Sequence, residues 1–83
     1  MARLLFFGRL GDVAGATERQ IALPEGAASV ETLFDLLERE DSLLAAALRD
    51  PSVRIAVNGE IRNGAGAVSD ADEIAFMPPF SGG

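Results

Sequence analysis

An 83-residue chain with seven Arg against thirteen Asp and Glu, a formal charge of -6, and no Lys, His, Cys, Trp or Tyr leaves few chemistries open. No thiol, imidazole or amine side chain exists to act as nucleophile, base, Schiff-base former or zinc ligand, and no disulfide frame can form. The acidic balance argues against nucleic acid and anionic lipid, both of which are gripped by basic side chains, and points to a protein or small-molecule partner.

The length suits one domain over residues 1–83, small enough to bury only about 60 to 65% of the surface its unfolded chain exposes. Because 48% of the residues are apolar, some apolar surface is left over, which usually marks a partner. No run approaches the roughly 20 apolar residues of a membrane span, and the start, Met1 to Gly8, is too short for a signal-peptide core. A soluble cytoplasmic domain is the expectation.

Arg3 to Phe7 is a short apolar run ending at Gly8 and reads as a buried first strand. Gly11, Gly15 and Thr17 read as a loop, after which Arg19 to Leu23 alternates and stops at Pro24-Glu25-Gly26; the pair is predicted to form a hairpin. From Ser29 the period changes. Val30, Leu33, Phe34 and Leu37 form one helical stripe, widened by Leu36, with Ser29 as N-cap and Glu31 favouring the positive helix end. Asp35 and Arg39 are spaced as an i, i+4 pair. That helix is expected to end near Glu40, and Asp41 or Ser42 to cap a second short one, Leu43 to Arg49, stopped by Pro51.

Val53 to Val57 alternates again, and Asn58-Gly59 signals a tight turn because both residues tolerate positive φ. Ile61 falls on a short return strand, Val68 is an isolated apolar anchor, and Glu73 to Met77 is the last strand. Pro78-Pro79-Phe80-Ser81-Gly82-Gly83 cannot continue a sheet and should leave the body as a tail over residues 78–83. The order strand, strand, helix, strand, short strand, strand calls for a mixed α+β fold, its sheet covered on one face. Parity puts Leu4, Phe6, Ile21, Leu23, Ile55, Val57, Ile74 and Phe76 on the covered face and turns Phe7 and Met77 to the open one.

Candidate chemistry is sparse. Asp70, Asp72 and Glu73 resemble the start of a Ca²⁺ loop, but the remaining ligands and the distal Glu are missing, so they read as a solvated turn. Glu38, Glu40 and Asp41 read as a water-facing helix side. Gly8, Gly11 and Gly15 do not match a phosphate-binding spacing, and no helix N-terminus is expected after them to hold an anion. Ser29, Ser42, Ser52, Ser69 and Ser81 have no His or Lys to activate them. The tail remains. Two terminal glycines let the backbone enter a narrow channel and present only a carboxylate; the same dipeptide also suits a frayed end, but Pro78-Pro79 stiffens the approach, which a floppy end does not need.

Leu4-Leu5-Phe6-Phe7, Ser29-Val30-Glu31-Thr32-Leu33, Val57-Asn58-Gly59 and above all the stretch from Asp70 to Gly83 resemble the small, sulfur-carrying subunit family of molybdopterin synthase, across essentially the whole chain. The final segment is the specific part, and Ala71 departs from a position where the family commonly has Gly. The resemblance implies a β-grasp, ubiquitin-like fold with one main helix on one sheet face and a short second helix. It implies that Gly83 is adenylated by a separate ubiquitin-activating-like adenylyltransferase at the expense of ATP, then converted to a thiocarboxylate with sulfur from a sulfur-donating enzyme. Ser81 and Gly82 would thread the channel of the large subunit, in a heterotetrameric synthase, where sulfur passes to cyclic pyranopterin monophosphate. The catalytic side chains would belong to that large subunit; no permanently bound cofactor, metal, nucleic acid or membrane is implied. Phe7, Ile61, Met77 and Phe80 are expected to form the docking patch. A sulfur carrier for thiamine biosynthesis, a ubiquitin-like protein modifier and an inert domain with a tail are the alternatives.

Overall fold

The computed structural model describes residues 1–26, 28–62 and 66–78. Five strands form one mixed sheet: β1 (Ala2–Phe6), β2 (Glu18–Ile21), β3 (Arg54–Val57), β4 (Glu60–Arg62) and β5 (Glu73–Met77), in the spatial order β2-β1-β5-β3-β4. The first and last strands pair in parallel at its centre, with Leu4 opposite Ile74 and Phe6 opposite Phe76; every other ladder is antiparallel. Three helices accompany it among the described residues: α1 (Arg9–Ala14), α2 (Val30–Glu40) and α3 (Ser42–Leu48).

Alternation along each strand sends one set of side chains under the helices. Leu4, Phe6, Ile21, Leu23, Ile55, Val57, Ile74 and Phe76 are all buried there, joined by Val30, Leu33, Phe34 and Leu37 of α2 and by Leu44, Ala45 and Leu48 of α3. The ring of Phe76 stacks on Phe6 at 5.8 Å and meets Phe34 of α2 at 6.3 Å, so helix and sheet share one aromatic seam. Each such fully buried large side chain contributes about 1.5–3 kcal/mol. Val68 is buried as an anchor, its N–H donating to the Ala28 carbonyl.

Local chemistry explains the element ends. The Ser29 hydroxyl accepts from the Thr32 N–H at 3.1 Å while the Thr32 hydroxyl accepts from the Ser29 N–H at 3.2 Å, a reciprocal cap that satisfies two orphan donors. Asp41 closes α2 and opens α3, its carboxylate accepting from the Leu44 N–H at 3.1 Å. Asn58 and Gly59 both have positive φ, 51° and 85°, as a two-residue turn between β3 and β4 requires.

Two expectations are corrected. The glycines after β1 do not form a plain hairpin loop: Leu10 and Ala14, one turn apart, bury the inner side of α1, which packs against α3. A third helix therefore joins the two expected: it starts after Gly8, contains Gly11 and ends at Gly15. These glycines serve backbone geometry, since Gly15 is the left-handed C-cap of α1, at φ 75°. Asp35 pairs with Arg49, at 3.4 Å, rather than with Arg39. The Arg49 guanidinium also reaches Glu31 at 3.6 Å and lies 5.2 Å from the centroid of the Phe34 ring, so stacking and two acids together outbid the local i, i+4 partner. Phe7, which parity turns to the open face, is 49% exposed. Strand and helix bounds otherwise differ from the expected ones by at most two residues.

Candidate docking face and tail root

The sheet face away from α2 is the surface that adjoins the tail. Residues directly opposite each other across a ladder share a side, and the registers join Leu5 to Ala75, Ala75 to Ala56 and Ala56 to Ile61. These four make an apolar row across four strands. Ile61 at its end is 60% exposed, Leu5 and Ala75 are half-buried, and Ala56 is buried even though it lies on the open side.

One flank of the row is ionic. Arg3 holds Glu18 at 3.1 Å from β2 and Glu73 at 3.1 Å from β5; the hydrogen bond it donates to Glu18, then the two carboxylate charges, push the guanidinium above its ordinary value. The other flank is apolar: Phe7, whose N–H donates to the Phe76 carbonyl at 3.1 Å, and half-buried Met77, which faces Arg54 across the β3–β5 ladder. A shallow hollow of about 380 Å³ lined by Leu5, Phe6, Phe7, Gly8, Thr17 and Glu18 opens beside Phe7.

Pro78, where the chain leaves β5, stands against Gly8: a Cβ on that glycine would meet Pro78 Cγ at 2.9 Å. Phe7, Ile61 and Met77 thus lie on one sheet face with the start of the tail at its edge. Phe80, Ser81, Gly82 and Gly83 lie outside the described residues. Leu5, Ala56 and Ala75 belong to this face and were missed as a continuous row, because parity tells which side a residue faces but not which strands are neighbours.

The acidic turn before β5 is occupied with its own backbone. Asp72 accepts from the Asn58 amide at 2.9 Å and the Ser69 N–H at 2.8 Å, which hold its carboxyl below the usual range. Asp70 accepts from the Leu23 N–H at 2.9 Å, the main cause of its own lowering, and faces the Met1 ammonium at 3.3 Å. Among the described residues no acidic group of three or more is arranged to hold a metal ion, and no helix is long and apolar enough to cross a membrane.

A helix laid across a mixed sheet whose first and last strands pair in parallel at the centre defines a ubiquitin-like, β-grasp domain. SAMP1, the small archaeal modifier protein 1 of Haloferax volcanii, is similar in structure with a TM-score of 0.83 and 26% identity, covering 99% of this chain and 98% of that one. The chain belongs to the ThiS family, whose model matches residues 4–83. It is 31% identical to the molybdopterin synthase sulfur carrier subunit of Haemophilus influenzae and 30% identical to that of Escherichia coli K12, over the full length of both chains in each case.

Proposed function

We propose that this chain is the sulfur carrier subunit of a molybdopterin synthase and works through the carboxylate of Gly83. The observation that carries the reading is full-length similarity to two proteins bearing that name, in a chain that ends Gly-Gly and has no side-chain nucleophile beyond hydroxyls and carboxylates.

A carboxylate oxygen is a poor leaving group. Attack of the Gly83 carboxylate on the α-phosphate of ATP, in the activating enzyme, expels pyrophosphate and leaves a glycyl adenylate; the nucleotide is bound only in passing. Sulfur from a donating enzyme then takes the place of AMP, giving the thiocarboxylate. Docking through Phe7, Ile61, Met77 and Phe80 presents the tail, with Ser81 and Gly82 in the channel, to the large subunit of a heterotetrameric cytoplasmic synthase. There the tethered sulfur acts at high effective concentration on cyclic pyranopterin monophosphate.

Intact-mass measurement after incubation with ATP, an activating enzyme and a sulfur source tests the chemistry. One oxygen exchanged for sulfur is expected in the complete chain, and none when Gly83 is deleted or one residue is added beyond it. Sulfur transfer by the extended chain sinks the role given to Gly83. Co-purification with a molybdopterin synthase large subunit separates this reading from a thiamine-pathway carrier. Likeness to SAMP1 favours a second reading, a protein modifier; the absence of Lys prevents Lys-linked chains of itself but not attachment elsewhere, and an isopeptide-linked adduct in the same incubation would support it.

A further inference from the structure

Four of the seven arginines are engaged within the fold: Arg3 with Glu18 and Glu73, Arg19 with Asp41, Arg49 with Glu31 and Asp35, and Arg62 with the Ala67 carbonyl. Arg9, Arg39 and Arg54 have no counter-ion within 4 Å among the described residues. Arg39 lies on α2, on the covered side of the sheet. The other two flank the place where the chain leaves β5. Arg54 is opposite Met77, with Cβ atoms about 4.5–5.5 Å apart as in any antiparallel pair, and Arg9 follows Gly8, which stands against Pro78. Both are exposed.

The local charge is therefore opposite to that of the whole chain, which is -6. On the open face Glu73 lies at the far flank and Glu18 at the β2 end of the row, opposite Leu5, and Arg3 binds both; near the tail root Arg9 and Arg54 stand with Asp12, three residues after Arg9 on α1, so cations are in excess there among the described residues. We infer that Arg9 and Arg54 form a cationic clamp for carboxylates at the mouth of the partner channel that receives the tail. A guanidinium presents a planar fork that fits a carboxylate in two parallel hydrogen bonds. Phosphates handled at Gly83 are a poor fit as the occupant. Gly83 is five residues past Pro78, a reach of up to about 17 Å for a fully extended chain, so a group handled at Gly83 need not meet these two side chains. The clamp gives the docking face a direction, because a partner seated the other way would set its carboxylates against Glu18 and Glu73.

This inference rests on the carrier reading, with the large subunit of the synthase as the partner. The test compares the wild-type chain with Arg9→Glu, Arg54→Glu, the double variant and Arg54→Lys, measuring association rate and Kd with the large subunit of the same organism at low and high salt. The double variant is expected to bind about tenfold or more weakly at low salt, chiefly through slower association, and to approach wild type at high salt, where surface charge is screened. Arg54→Lys should keep most of the binding. Melting midpoints should stay together, since neither arginine has an ion partner to lose among the described residues. Equal or tighter binding by the double variant, the result its more negative charge would give against a basic partner surface, overturns the clamp alone. A wild-type chain that neither binds the large subunit nor gains sulfur overturns the carrier reading and the clamp with it.

Discussion

Gly8 shows how one residue can control where a functional segment begins. Its backbone sits at φ 57° and ψ -138°, a region that side chains disfavour, and the space its missing Cβ would fill is taken by Pro78. Gly8→Ala is therefore expected to lower stability by roughly 1–3 kcal/mol, the usual cost of forcing a side chain into such a conformation, and to move the amide signals of Met77. Urea denaturation and amide spectra check both. Stability equal to wild type would mean that the β1–α1 junction relaxes freely. The three glycines after β1 also explain why this region was misread: glycine marks loops and helix ends alike, and α1 is too short for two buried residues, Leu10 and Ala14, to declare a period.

Among the elements, the turn before β5 acts as a stitch. Asp72 ties the Ser69 N–H to the Asn58 amide, and Asn58 in turn accepts from the Glu73 N–H at 3.0 Å, so the β3–β4 turn and the entry to β5 hold each other. A carboxyl whose folded value lies below its unfolded one stabilises the fold while ionised. Its contribution is present above the ordinary carboxylate range and is lost as pH falls through the depressed folded value. Both Asp70 and Asp72 are lowered in this way, so stability to urea should decline as pH drops below about 4. Asp72→Asn should be less stable at neutral pH and show a shallower acid decline; an acid limb as steep as wild type would remove Asp72 from the account.

Much at this scale was legible beforehand. The stripe and cap of α2, the Asn58-Gly59 turn and the exact span of β5 follow from period and local hydrogen bonding. So does the covered face, because parity is local. Arg49 reaching back to Asp35, and the row Leu5, Ala75, Ala56 and Ile61, depend on which elements become neighbours, and no local pattern carries that. The chemistry of the tail was likewise legible only through resemblance, since two glycines specify no reaction.

For the whole molecule, the balance lies between a covered face that makes the fold and an open face that is left apolar. Phe7 is half-exposed and adds little to the core, so Phe7→Asp should leave the thermal midpoint nearly unchanged while weakening large-subunit binding by about 2 kcal/mol or more, as loss of a central anchor does. Met77→Asp should weaken binding similarly at some cost in stability, because Met77 is partly buried. Titration calorimetry and thermal melts separate the two effects. Normal binding by an unstable Phe7→Asp variant would reverse the face assignment.

The parallel pairing of β1 with β5 also bears on synthesis. The sheet's central ladder joins residues 70 positions apart, as in Leu4 with Ile74, and such distant contacts form late because the intervening chain must first be closed into a loop. A growing or truncated chain that stops before residue 73 lacks the strand in the middle of its sheet and, with it, Ala75 and Met77 of the open face. Recognition of the folded surface is thereby also a check on length: a molecule that a partner can grip has already been made as far as the root of its tail.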